Sequence, residues 1–162
     1  MPKRCYIIKL MANDLKQFAD TDIFLGLDFG TRHIGVASGQ KITATATPVK
    51  TLIAKNGVPN WMEVDKIIAE WHPAALIVGI PFHLDGTAHW VTKAAENFIL
   101  SLKSRYRLPV YGVNEQLTTK SAKERVFAAG GYKALQKEEL DSIAAKLILE
   151  GWLTEQNYKF TV

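Results

Sequence analysis

Residues 24–39 read Phe24-Leu25-Gly26-Leu27-Asp28-Phe29-Gly30-Thr31-Arg32-His33-Ile34-Gly35-Val36-Ala37-Ser38-Gly39. An apolar strand ends in a carboxylate, a Gly-Thr turn follows, and a second glycine-rich strand returns. A strand needs no charge at its last buried position, and a charge there is costly unless something pairs with it. The partner to expect is a cation, either a metal or a phosphate-bound metal. Asp28 is therefore the first candidate site residue.

Strand–Asp–Gly-Thr–strand is the opening of ribonuclease-H-like nucleases. It also opens the sugar-kinase, actin and chaperone ATPases, so alone it leaves nucleic-acid and nucleotide chemistry both open. Length weighs against the ATPases, which clamp nucleotide between two such domains. The 162 residues suffice for one domain with a real core but not for two of ordinary size.

Apolar residues make up 48% of the chain and charged residues 22%, an ordinary globular composition. Twenty Lys and Arg against 16 Asp and Glu give a net charge of +4, with a pI near 9.1. That balance suits a phosphodiester partner without establishing one. Cys5 is the only cysteine, so neither an intrachain disulfide nor a multi-thiolate metal site is available. Lys9 interrupts the early apolar stretch, so a signal peptide is not expected. No segment approaches the ~20 apolar residues of a membrane span, and a cytoplasmic location is the expectation.

Residues 1–22 read as an N-terminal extension, either flexible or a small peripheral helix. Residues 23–156 form the expected domain and residues 157–162 a tail. Strands are expected at 23–29, 34–38, 42–52, 75–80 and 109–113, with a turn at Asn56-Gly57. The run Ala75-Leu-Ile-Val-Gly-Ile80 has the continuous apolarity of a central parallel strand. Helices are expected at 59–71, stopped by His72-Pro73, then at 87–106, 121–129 and 138–153. The order implies an α/β fold, a mixed five-stranded sheet flanked by helices.

Two further carboxylates stand out. Glu115 follows the strand at 109–113, and such strand ends are where α/β sheets place ligands. Taken alone it reads equally as a solvated loop carboxylate. On the last helix Glu139, Lys146 and Glu150 form a polar stripe, whereas Asp141 shares a face with Ala145 and Ile148. Carboxylates on an apolar face are seldom buried unless paired. The alternative is an Asp favoured as a helix cap by the dipole. Hard cations such as Mg²⁺ take oxygen ligands, and two of them about 3.5–4 Å apart can activate water and stabilise a leaving oxygen. His33, His72, His83 and His89 lack ligand spacing.

At this point the chain resembles the YqgF-type proteins, described as Holliday-junction resolvases and as pre-16S rRNA nucleases. The matching stretches are Leu27 to Ala37, Ile77-Val-Gly-Ile-Pro-Phe-His-Leu-Asp-Gly-Thr87, Asn114-Glu-Gln-Leu-Thr-Thr119, and Gly130-Gly-Tyr132 with Asp141-Ser-Ile-Ala-Ala145. The resemblance implies a ribonuclease-H-like fold and a divalent-metal site, Mg²⁺ or Mn²⁺, on Asp28, Glu115 and Asp141. The family's usual Asp-Glu-Arg-Leu-[Ser/Thr]-Thr becomes Asn114-Glu115-Gln116-Leu117-Thr118-Thr119, losing a charge on each side of the glutamate. Gln116 in place of Arg removes one possible phosphate contact.

These readings lead to a metal-dependent nuclease that processes the 5′ end of the 16S rRNA precursor. Asp28 is expected to bridge the ions, with Glu115 and Asp141 each completing one side. Thr31, Arg32, Thr118, Lys120 and Arg125 are the expected substrate contacts, through a turn that can offer N–H groups and through cations near a helix start. The alternatives are a junction-cutting DNA resolvase on the same site, which favours a two-fold dimer, and a non-catalytic nucleic-acid-binding module. Monomer and homodimer both remain open.

Overall fold

The computed structural model describes residues 18–81, 89–114 and 137–159. Six strands form one sheet: β1 (Ile23–Asp28), β2 (His33–Gln40), β3 (Thr45–Lys55), β4 (Val58–Pro59), β5 (Ala75–Ile80) and β6 (Val110–Asn114). Three helices accompany them: α1 (Trp61–Trp71), α2 (His89–Tyr106) and α3 (Lys137–Lys159). The sheet order is β4-β3-β2-β1-β5-β6. Strands β1 to β4 are joined as antiparallel neighbours, whereas β5 pairs parallel to β1 and β6 parallel to β5. The mixed sheet is thus as expected, with the two-residue β4 added at its edge.

Alternation along the strands builds two cores. Leu25 and Leu27 of β1 join Ile34, Val36, Leu76 and Val78 in the core under α1 and α2. Phe24 joins Ile77, Tyr111, Leu149 and Trp152 on the α3 side. Phe29 and Trp61 flank Phe98 with ring centroids 5.4 and 6.0 Å away, which ties α2 to both the sheet and α1. Truncating a ring held in this way costs about 3–5 kcal/mol.

Local chemistry sets the element ends. Asn60 caps α1 by accepting from the Met62 N–H at 3.1 Å, and His72 ends it in the left-handed region at φ 46°. The helix therefore begins two residues later than the sequence pattern suggests, and Pro59 belongs to β4, where its missing N–H is harmless at a sheet edge. Asn56 and Gly57 both have positive φ, 52° and 81°, the geometry of a tight hairpin turn. Strand β3 starts at Thr45 rather than at position 42, because Ala44 turns the chain at φ 51° and donates to the Gln40 and Lys41 carbonyls.

Phe18, from the segment before β1, packs edge-on against Phe24 at 5.2 Å. Residues 1–17 and 160–162 lie outside the described residues, as does the helix expected at 121–129. No helix among the described residues is long and apolar enough to cross a membrane.

Candidate active site

Because β1, β5 and β6 run parallel, their carboxyl ends open on one edge of the sheet, the edge where α/β folds hold ligands. Asp28 is the last residue of β1 and is half-buried. It lies directly opposite Gly35 of β2 and Gly79 of β5. The Phe29 N–H donates to the Gly79 carbonyl at 3.2 Å, so the pairing with β5 continues past the carboxylate. Glycine on both sides leaves the sheet row around Asp28 without a neighbouring side chain.

The backbone of the second candidate, Asp141, abuts this row at the same glycine. A Cβ at Gly35 would overlap the Asp141 carbonyl and sit 2.8 Å from the Ser142 nitrogen. Directly paired residues on antiparallel strands share a face, so Asp28 lies on the face that α3 covers. Gly26 continues the contact, since a Cβ there would approach the Leu149 Cβ at 2.7 Å and the Ala145 carbonyl at 2.9 Å. Positions 141, 145 and 149 are spaced four apart, one stripe of the helix. Oδ2 of Asp141 is buried. Asp141 is one turn inside α3 rather than at its cap, so the capping alternative does not account for it.

The far end of α3 is fixed as well. Glu150 accepts from the Ala46 N–H at 3.0 Å and lies 4.0 Å from Lys146. The polar stripe read from the sequence is therefore partly a clamp onto β3.

Of the expected substrate contacts, Thr31 is half-buried and Arg32 exposed, in the turn immediately after Asp28. Their carbonyls accept from Gly57 at 2.9 Å and Ala54 at 2.8 Å, which fastens the turn to the β3–β4 hairpin. Glu115 follows the last residue of β6 in sequence, and with Thr118, Lys120 and Arg125 it lies outside the described residues. The row from Asp28 through Gly79 continues to Val113 of β6.

The donor set suits a hard divalent cation: carboxylate oxygens, with no sulfur and no histidine pair. Among the described residues no group of three His, Cys, Asp or Glu side chains is arranged to hold a metal. Sequence reasoning missed Gly35 and Gly79 as the strand neighbours of Asp28, the first of them seating α3 on the sheet. Their available signal was glycine in an otherwise apolar strand, a mark of close backbone approach.

Residues 22–155 match the family described as RuvX, Holliday junction resolvase. The chain belongs to the RuvX family. The resemblance to YqgF-type proteins drawn from the four motifs is thereby borne out. A protein of Actinobacillus pleuropneumoniae named "Putative pre-16S rRNA nuclease" is 48% identical over 132 residues, covering 82% of this chain and 96% of that protein. One of the same name from Legionella pneumophila is 46% identical over 133 residues, covering 82% and 96%.

Solved structures establish the fold. Thermus thermophilus RuvC, in complex with a Holliday junction substrate, superposes with a TM-score of 0.50 at 15% identity, covering 83% of this chain and 95% of that one. The yeast mitochondrial Holliday junction resolvase gives 0.51 at 10% identity, covering 98% and 92%. The ribonuclease-H-like architecture expected from Asp28 and its flanking strands is the one observed.

Proposed function

We propose that this RuvX-family chain is a divalent-metal-dependent nuclease that hydrolyses phosphodiester bonds at the 5′ end of the 16S rRNA precursor, in the cytoplasm. The observation that carries the reading is that Gly35 adjoins both Asp28, its strand partner at the carboxyl edge of the parallel strands, and the backbone of Asp141. The names of relatives 46–48% identical to it support the same chemistry and suggest the RNA.

Asp28, Asp141 and Glu115 are the residues that would hold Mg²⁺ or Mn²⁺. A cation bound there supplies charge to the phosphate oxygens and lowers the pKa of a water molecule. The backbone of Asp28 is held by a strand neighbour on either side. Thr31 and Arg32, in the turn that leaves Asp28, are assigned to the substrate backbone. Thr118, Lys120 and Arg125, which lie outside the described residues, are assigned to the same role.

The test offers the purified protein single-stranded RNA, a 16S-precursor end and a four-way DNA junction, each with Mg²⁺ or Mn²⁺, beside Asp28→Asn. Metal-dependent cleavage of the precursor end, lost in the variant, is the expected result. Cleavage that survives the substitution refutes the assignment of Asp28. The description of the matched family favours a second reading, a junction resolvase acting as a homodimer. Symmetric junction cleavage by a dimer with the precursor left intact would put it first. RNA binding with no cleavage of any substrate would leave a binding module.

A further inference from the structure

Strand β3 carries a second kind of surface past the site. Leu52 and Ala54 are buried in the α1–α2 core, so Thr51, Ile53 and Lys55 lie on the opposite face, the face of Asp28. Register places Thr51 opposite Gly35, Ile53 opposite His33, and Lys55 opposite Val58. Ile53 is 72% exposed and Val58 56% exposed. With strands about 4.8 Å apart and about 3.4 Å per residue, Ile53 lies roughly 12 Å from Asp28 across the sheet.

The chain segment that carries these two apolar side chains is basic. Residues 29–62, the whole stretch from the turn after Asp28 to the start of α1, contain no Asp or Glu, but carry Arg32, Lys41, Lys50 and Lys55. Lys41 pairs with Asp20 at 3.3 Å and Lys50 with Glu63 at 3.2 Å. Arg32 and Lys55, both exposed, are in no ion pair among the described residues. The hairpin and the turn bearing Arg32 are hydrogen-bonded together, so the surface moves as one piece with Asp28.

A duplex presents mainly phosphates and sugars to a protein, whereas an unpaired strand also exposes base faces that pack on apolar side chains. We propose that the β3–β4 hairpin carries an unpaired RNA segment flanking the cleaved bond. Bases or riboses lie on Ile53 and Val58, and phosphates on Arg32 and Lys55. The proposal deepens the nuclease reading and rests on Asp28 as its centre. It assigns Ile53, Lys55 and Val58 to substrate selection, a preference for unpaired over duplex RNA next to the cut.

The test measures anisotropy of a short labelled unpaired RNA and of its duplex on the full chain, in EDTA so that nothing is cleaved. Ile53→Thr keeps a strand-favouring side chain and should weaken unpaired RNA about fivefold while leaving the duplex unchanged, and Ile53→Tyr should restore or tighten binding. Lys55→Gln should reduce the salt slope for unpaired RNA by about 0.7. Unchanged affinity in both Ile53→Thr and Lys55→Gln overturns the proposal, as does an equal loss on duplex and unpaired RNA. So does a wild-type dimer that Ile53→Thr dissociates without altering RNA affinity, which would make the patch a contact between copies. Asp28→Asn separates the two readings: it should bind like the parent in EDTA and fail to cleave when Mg²⁺ is added. If it cleaves, the catalytic assignment falls while the binding result for the hairpin stands.

Discussion

Gly35 and Asp141 are in backbone contact, with no room between them for a methyl group. Since Gly35 is also the direct partner of Asp28, one residue sets how closely the backbone of α3 at Asp141 approaches the strand row of Asp28. Gly35→Ala must push α3 off the sheet or bend β2. Overpacking of this kind costs about 1–3 kcal/mol, and a shift of about 1 Å at a reacting centre can cost about 100-fold in rate. Cleavage should therefore fall far more than the fraction folded at the assay temperature. Equal losses in denaturant midpoint and turnover would mean that Gly35 serves packing alone.

Metal binding should be visible without turnover. A ligand that binds only the folded state stabilises it by about 2.7 kcal/mol at a hundredfold excess over Kd. Titrating Mg²⁺ or Mn²⁺ should raise the melting temperature of the parent and not that of Asp28→Asn. In the absence of metal the variant should melt at or above the parent, because a half-buried charge is gone. An identical metal-induced shift in both proteins would place the cation elsewhere.

Acid stability should depend on a pair far from the site. Asp65 of α1 accepts from Arg105 Nε at 3.0 Å and Nη2 at 2.9 Å, and from the Tyr106 hydroxyl at 2.6 Å. Hydrogen bonds from Arg105 first, then from Tyr106, hold its carboxyl at about 2. The unfolded value is about 3.9. A depressed folded pKa contributes stability that is complete above the unfolded value and is lost as pH falls through the folded one. Between about pH 4 and 2 the parent should thus lose urea stability more steeply than Asp65→Asn. Indistinguishable acid slopes would show the pair to be energetically silent.

Glu150 offers a control on helix placement. Glu150→Ala leaves the part-buried Ala46 N–H without its acceptor, a cost of about 1–3 kcal/mol, whereas Glu150→Gln keeps an oxygen there. The neighbouring Lys146 contributes little at an exposed 4.0 Å separation. The Ala variant should unfold at lower urea and the Gln variant near the parent. Matching losses in both would point to the charge rather than to the hydrogen bond.

Much of this arrangement is legible in the sequence because its causes are local. Ala75 to Ile80 reads as a buried central strand from its unbroken apolar run, and Asn56-Gly57 reads as a turn because few other pairs accept two positive φ values. Asp28 and Asp141 stand out because a carboxylate on an apolar strand or helix face asks for a partner. Pro59 misleads because it is equally at home in the first turn of a helix and at a sheet edge. The site's spacing is not legible, since Gly35, Gly79 and Glu150 act through contacts with residues distant in the chain. No local periodicity encodes those contacts.

The glycine seam beneath α3 also orders events in time. Asp28 is in place once β1 is flanked by its neighbouring strands, but Asp141 arrives only when α3, the last element described, docks on Gly26 and Gly35. A chain grown no further than β6 therefore owns half of the carboxylate pair. Long-range contacts of this kind form late, after loop closure has been met. On the proposed assignment, cutting ability therefore belongs to the chain only once α3 has docked.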